Sequence, residues 1–115
     1  MAAPIKNLTV DEQIQQLNGA RKIVLGDPSY YDKIIKGILP IIGPSSPLEL
    51  RRWGADFLAE SLSTPALRSS DKEIVTVAIL DTLRTLLENP NEDTLVLKSS
   101  VMAAASAYPI AMRWM

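Results

Sequence analysis

The sequence predicts an all-α protein, a HEAT-like α-solenoid fragment of five helices in which one leading helix precedes two antiparallel helical hairpins. Three observations predict it. Helix-start signals recur along the chain. Apolar residues return at helical spacing between them, with no useful strand-type alternation. The apolar pattern of the second helix also comes back 45 residues later in the fourth.

Three of the starts have the spacing of a capping box: Thr9 with Glu12, Ser46 with Glu49, and Ser70 with Glu73. In such a box the Ser or Thr oxygen accepts from the N3 amide while the N3 carboxylate accepts from the N-cap amide. Asp27 before Pro28 marks a fourth start, because proline at the first helical position gives up an N–H that no carbonyl awaits. Asn91, ahead of Glu92 and Asp93, marks the fifth, where acidic residues suit the positive end of the helix dipole.

The first helix is expected over Val10 to Leu25, with Ile14, Leu17, Val24 and the aliphatic stem of Arg21 on one face, and Gly26 ending it. The second runs from Pro28 to Ile42 with Tyr31, Ile34, Ile35, Ile38, Ile41 and Ile42 as its apolar stripe and Pro40 bending its last turn. Of the paired tyrosines, one should pack and the other face water. The third runs from Pro47 to Leu62, burying Leu50, Trp53, Phe57, Leu58 and Leu62. The fourth covers Asp71 to Glu88, turning Val75, Ile79, Leu80, Leu83, Leu86 and Leu87 inward. The fifth starts near Glu92 and is small and apolar through SSVMAAASAY, which suits a helix packed closely between others, with a kink expected at Pro109.

An offset of 45 pairs Ile34 with Ile79, Ile35 with Leu80, Ile38 with Leu83, Ile41 with Leu86 and Ile42 with Leu87. An offset of 47 pairs Leu50 with Leu97 and Arg51 with Lys98 in the following helices. Two helices joined by a Pro- or Asn-containing turn, with a basic residue early in the second, repeat in this way in HEAT arrays. Each hairpin then needs a neighbour to cover it. A closed five-helix bundle is the alternative. The two are separated by whether the hairpins stack in succession and leave the fifth helix open on one side.

Residues 1–8 read as a flexible N-terminus and residues 9–115 as one helical repeat domain, the first part of a longer solenoid because the last helix stops at AMRWM without a cap. Trp114 is expected in a core completed by a further hairpin or by another copy of the chain, which leaves self-association through the C-terminal helix open. With 47% hydrophobic and 22% charged residues, the chain of 115 residues has enough apolar surface to fold. No apolar run approaches the length of a membrane span, no signal-peptide core is present at the N-terminus, and no membrane partner is implied.

Composition excludes more than any motif provides. The chain has no Cys and no His, which removes the usual zinc ligands, thiol nucleophiles and the side chain that titrates near neutrality. The five glycines form no phosphate-binding loop, and no cofactor or metal is implied. Lys98 with Ser99 and Ser100 hints at a Ser-Lys arrangement, but successive helical residues point apart. The carboxylate pairs Asp56 with Glu60, and Glu88 with Glu92 and Asp93, read as solvated or capping groups, and a carboxylate-dependent hydrolase would need two of them converging in a pocket. The chain reads as no enzyme.

With a net charge of −1, a nucleic-acid binder would need a local basic patch. The one candidate is Arg51 and Arg52 beside Trp53. Helical geometry separates them: Trp53 falls on the apolar stripe, Arg52 on the polar one as an i, i+4 pair with Asp56, and Arg51 at the boundary, within reach of carbonyls or acids of the preceding helix. RNA contact through this fragment is therefore disfavoured. Glu49, Arg52, Asp56 and Glu60, with Lys98, form the polar stripe available to a protein partner.

The segments LNGARKIVLGDP (17–28), KGILPIIGP (36–44), LELRRWGADFLAES (48–61) and AAASAYPIAMRWM (103–115) resemble the N-terminal HEAT domain of the symplekin family, particularly its fungal members. The resemblance implies a nuclear, non-catalytic scaffold of the pre-mRNA cleavage and polyadenylation machinery. It implies protein partners from that machinery, including a phosphatase that acts on the C-terminal domain of RNA polymerase II. It carries no partner-binding residue across with it. The alternative reading is a helical-bundle adaptor of another intracellular complex.

Overall fold

The computed structural model describes residues 9–65 and 77–112. Five α-helices lie within them: α1 (Val10–Gly26), α2 (Tyr31–Ile38), α3 (Leu48–Leu62), α4 (Val77–Glu88) and α5 (Thr94–Met112). No strand occurs among the described residues, and the fold is all-α as expected. The expected flexible N-terminus, the Ser70–Glu73 capping box, Val75 and Trp114 lie outside the described residues.

The start of α1 is the expected capping box, with Glu12 N donating to Thr9 Oγ1 at 3.1 Å and Thr9 N donating to Glu12 Oε1 at 3.2 Å. Asp27 Oδ1 likewise accepts from Ser29 N at 3.1 Å and begins a 3₁₀ turn over Pro28–Tyr30. Two other starts differ from expectation. The N-cap of α3 is Pro47, with no side-chain cap, so Ser46 and Glu49 do not form a box. The Ser46 carbonyl instead accepts from Arg51 Nη1 at 2.5 Å. At α5 the cap is Asp93 rather than Asn91: Asp93 Oδ2 accepts from Leu95 N at 2.9 Å and Val96 N at 3.2 Å. The Ser46 amide meanwhile donates to the Gly43 carbonyl at 2.9 Å, and Glu92, next to Asn91, turns to Arg51.

The second helix is shorter than its apolar run. Its α-helical part ends at Ile38 and a 3₁₀ turn covers Leu39–Ile41, because Pro40 has no N–H to continue the α ladder. The tighter turn moves Ile41 out of the predicted stripe and onto the surface, where it is 37% exposed, while Ile42 is fully buried. Tyr31 packs in the core and Tyr30 is exposed.

Layering follows from which residues meet. Arg51 pairs with Glu92 and Asp56 accepts from Ser99, so contacts advance together along α3 and α5 and the two helices run parallel. Asn18 meets Trp53 and Arg21 meets Glu60, so α1 runs in the same general direction on the other side of α3. The extensive contact of α3 with α5, its neighbour but one, is that of second helices in successive hairpins. An up-down bundle would set those two helices diagonally apart. The molecule measures 43 × 35 × 19 Å, its thin dimension matching two helix layers of about 10 Å each.

The core runs through both layers, with Val24, Ile35, Leu58, Leu62, Leu83, Ala103 and Ala107 in one cluster and Ala55, Leu86 and Val96 in a smaller one between the hairpins. Burial also corrects the repeat register. An offset of 46, not 47, superposes buried on buried: Leu50 with Val96, Gly54 with Ser100, Phe57 with Ala103 and Ser61 with Ala107. It places Arg52, rather than Arg51, opposite Lys98 in the repeat.

Helix α5 departs from one further expectation. Its 19 residues carry a stretch of mean hydropathy 1.3, long and apolar enough by composition to cross a membrane. Lys98 and the serines interrupt the apolar residues, so no unbroken run appears in the sequence, while Leu, Val, Met and Ala keep the mean high. One face of it, comprising Val96, Ser100, Ala103, Ala107, Ile110 and Ala111, is buried in the protein's own core. The helix continues through Pro109 to Met112.

Gly54 permits the closest packing in the first hairpin: a Cβ there would lie 2.5 Å from Ile42 Cβ and 2.8 Å from Ile42 Cδ1. The obstacle includes the root of a β-branched side chain, which cannot swing aside. Gly54→Ala is expected to lose about 1 to 2 kcal/mol despite the better helix propensity of alanine. Urea unfolding checks this, and an unchanged or higher midpoint would show that Ile42 yields without cost.

Candidate protein-interaction surface

The parallel helices α1, α3 and α5 present one continuous outer layer, and every residue of the predicted polar stripe lies on it or at its edge. Glu49, Arg52 and Lys98 are exposed, and among the described residues none of them makes an ion pair. The other two are engaged differently from expectation. Asp56 does not pair with Arg52 one turn earlier but accepts from the Ser99 hydroxyl of α5. Glu60 is held in a two-pronged pair by Arg21 of α1, Nε to Oε2 at 2.8 Å and Nη2 to Oε1 at 2.5 Å. For Asp56, the short Ser99 side chain of a packed neighbouring helix costs less side-chain entropy to hold than a long arginine on the same helix.

The layer also contains residues the polar pattern did not mark. Trp53 stacks on Phe57 with centroids 4.9 Å apart and planes 12° from parallel, and its Nε1 donates to Asn18 Oδ1 at 2.8 Å. Asn18, Arg21, Trp53, Asp56 and Phe57 line an open groove of about 200 Å³ between α1 and α3. Trp53 reads as core in the sequence because it lies on the apolar stripe of α3. Its half-buried position and polar partner follow from where α1 ends up, which spacing within α3 does not encode.

Arg51 resolves differently from its neighbour. It lies between the hairpins, Nε 3.1 Å from both carboxylate oxygens of Glu92 and Nη2 3.0 Å from Oε1, with Nη1 on the Ser46 carbonyl. The Glu92 side chain is wholly buried and that of Arg51 only 16% exposed. The acid comes from the following hairpin, not from the preceding helix as the sequence suggested. Asn89 Nδ2 and Asp93 N also donate to the Glu92 carboxylate, at 3.2 and 2.9 Å. Burial works to raise the carboxyl's pKa, but the Arg51 guanidinium and the two further donors hold it below the usual carboxylate range.

The remaining basic side chains on this layer do not add up to a field. Arg21 is matched by Glu60, whose hydrogen bond and charge raise the Arg21 pKa, and Arg52 and Lys98 are offset by Glu49 and Asp56 on the same surface. With Arg51 buried in an ion pair, the basic-aromatic cluster suggested by RRW reduces to one exposed arginine. The proposed catalytic constellations separate as well: Ser99 is bound to Asp56, Ser100 is buried, Lys98 is exposed, Glu88 meets Arg84 at 3.3 Å and Asp93 caps α5. Burial raises the Tyr31 phenol, with Glu60 adding to the effect. No group of three potential metal-ligating side chains occurs among the described residues.

Among the described residues the chain is thus an all-helical stack with an open side layer, a groove and mutually offset charges. The chain is 31% identical over 100 residues to the mRNA cleavage and polyadenylation specificity factor complex subunit pta1 of Schizosaccharomyces pombe. The match covers 87% of this chain and 14% of that subunit, so the chain spans about one seventh of the relative's length. No protein-family model matches the chain, and no solved structure matches it.

The Arg51–Glu92 pair generates a prediction with a definite sign. A folded-state carboxyl held below its unfolded value contributes stability that is complete above the ordinary carboxylate range, about pH 4.3, and is lost as pH falls through the lower folded value. Arg51→Met leaves Glu92 buried without its cation and is expected to cost about 3 kcal/mol at neutral pH. The same variant should lose less at about pH 4, where the orphaned acid can protonate. Urea unfolding at both pH values checks this; an equal deficit at both would show that lost packing, not charge, is responsible.

Proposed function

We propose that this chain is a non-catalytic, nuclear scaffold segment that docks protein factors of a pre-mRNA cleavage and polyadenylation complex on its α1–α3–α5 layer. The observation that carries the reading is the similarity to a subunit of such a complex across most of this chain. The chemistry of the layer agrees with it. Its ion pairs fix the helices relative to one another, leaving Trp53, Arg52 and Lys98 as side chains with surface to offer a partner. Residues 9–115 then act as one interaction domain. A phosphatase acting on the RNA polymerase II C-terminal domain, implied by the resemblance to symplekin, is the more specific partner proposed.

Affinity capture from nuclear extract with the immobilised chain tests the proposal. Cleavage and polyadenylation factors should be retained, and the double variant Arg52→Glu/Lys98→Glu should retain them several-fold less while unfolding like the parent. Retention of no such factor by the folded parent chain would sink the reading. Retention of RNA that Arg52→Glu abolishes would replace it with a nucleic-acid role.

A further inference from the structure

The outer face of α5 differs in kind from that of every other described helix. The exposed positions of α3 include Glu49, Arg52 and Asp56, and those of α4 include Asp81, Arg84 and Glu88. On α5 the exposed positions are Thr94, Leu95, Lys98, Val101, Met102, Ala105, Tyr108, Pro109 and Met112, with a single charge among nine. Leu95, Val101, Met102, Tyr108 and Met112 are each at least 50% exposed. Residues at this spacing form one continuous stripe along the helix. A stripe so poor in charge on a protein surface marks an interaction site.

The repeat shows how such a face is covered. In the register set by burial, Val101 and Tyr108 correspond to Ala55 and Leu62, which are fully buried in α3. Beside the stripe, Leu80, Leu83, Leu87, Ala104 and Tyr108 line an apolar groove of about 200 Å³ between α4 and α5, flanked by Arg84 and Glu88.

We propose that a second copy of this chain covers this face, in a twofold dimer whose α5 helices cross antiparallel about Ala105. The spacing of the stripe is self-complementary about that residue. Met102 and Tyr108 lie three positions on either side of it, Val101 and Pro109 four, and Lys98 and Met112 seven. A twofold axis at Ala105 therefore sets methionine against tyrosine, a favourable sulfur–aromatic pair, and seats small alanines where the backbones approach. It also keeps the two Lys98 ammoniums apart, each against a methionine. The flanking charges have the same property. Arg84 and Glu88 stand one turn apart at the groove's edge and are more than half exposed; within one chain Arg84 meets Asp81 at 2.5 Å and Glu88 only at 3.3 Å, and a twofold operation offers each arginine the other copy's glutamate in both directions as well. The proposal goes beyond the scaffold reading and shares only Lys98 with it, a residue that the variants below leave unchanged, so the two fail separately.

Sedimentation equilibrium of the intact chain tests it. A reversible dimer is expected, and Ala105→Arg, at an exposed helical position that leaves the core untouched, should make it monomeric without changing its helical circular dichroism. Arg84→Glu and Glu88→Arg should each weaken the dimer by at least about tenfold. Mixing those two variants should restore it as a heterodimer, since each then meets an opposite charge twice. Ion pairing within one chain cannot produce such rescue on mixing. A chain that stays monomeric at high concentration, a dimer indifferent to Ala105→Arg, or a dimer with no rescue on mixing would overturn the proposal. A monomer that binds phosphatidylcholine–phosphatidylserine vesicles through this stripe would likewise overturn it, giving the face to lipid.

Discussion

The arrangement of the two hairpins depends on one buried ion pair, Arg51 with Glu92. A carboxylate wholly removed from solvent is tolerated only when its charge is matched and its lone pairs are used. Glu92 has the Arg51 guanidinium, the Asn89 amide and the Asp93 amide around it. Arg51 in turn holds the Ser46 carbonyl in the loop before its own helix. The pair thus ties the turn of the first hairpin to that of the second and sets α3 and α5 side by side in parallel. The shifted helix start at Asp93 follows from it, because Glu92 faces inward and cannot serve the first turn of α5.

Close approach of these helices requires small side chains where they meet. Gly54 admits Ile42 of its own hairpin, while Ala55, Ser100, Ala103 and Ala107 are all fully buried. Such residues contribute little apolar area each but let the backbones draw near, so larger neighbours such as Leu58, Leu83 and Leu86 make more dispersion contacts. The same composition gives α5 its high mean hydropathy. What distinguishes it from a helix chosen for apolarity alone is that one face sits in the core of a two-layer stack and the other carries an ordered stripe of larger residues.

The surface divides accordingly. On the α1–α3 side, Arg21 with Glu60, Trp53 with Asn18 and Asp56 with Ser99 use polar groups to join helices. These contacts hold a shaped groove in place without building an electrostatic field over it. On the far side, α5 is almost free of charge. The stretch similar to the cleavage and polyadenylation subunit, 14% of that protein's length, covers 87% of this chain and so reaches helices of both surfaces.

The sequence by itself determined the all-α class of the described residues, the capping box at Thr9, most of the inward faces of α1, α3 and α4, and the pairing of helices into hairpins. These depend on spacing and on residues within a turn of each other, and local chemistry is legible in order along the chain. Tertiary structure decided the rest. The helix starts predicted at Ser46 and Asn91 moved to Pro47 and Asp93, beside an Arg51–Glu92 pair formed between residues 41 apart in sequence. Asp56 and Glu60 found donors on other helices, Ile41 turned outward at the break that Pro40 imposes, and the repeat register of the second helices moved from 47 to 46. Trp53 became part of a groove only when α1 arrived beside α3. Each of these depends on which helix lies next to which, and a periodic apolar stripe says that a neighbour exists without saying what polar groups that neighbour brings.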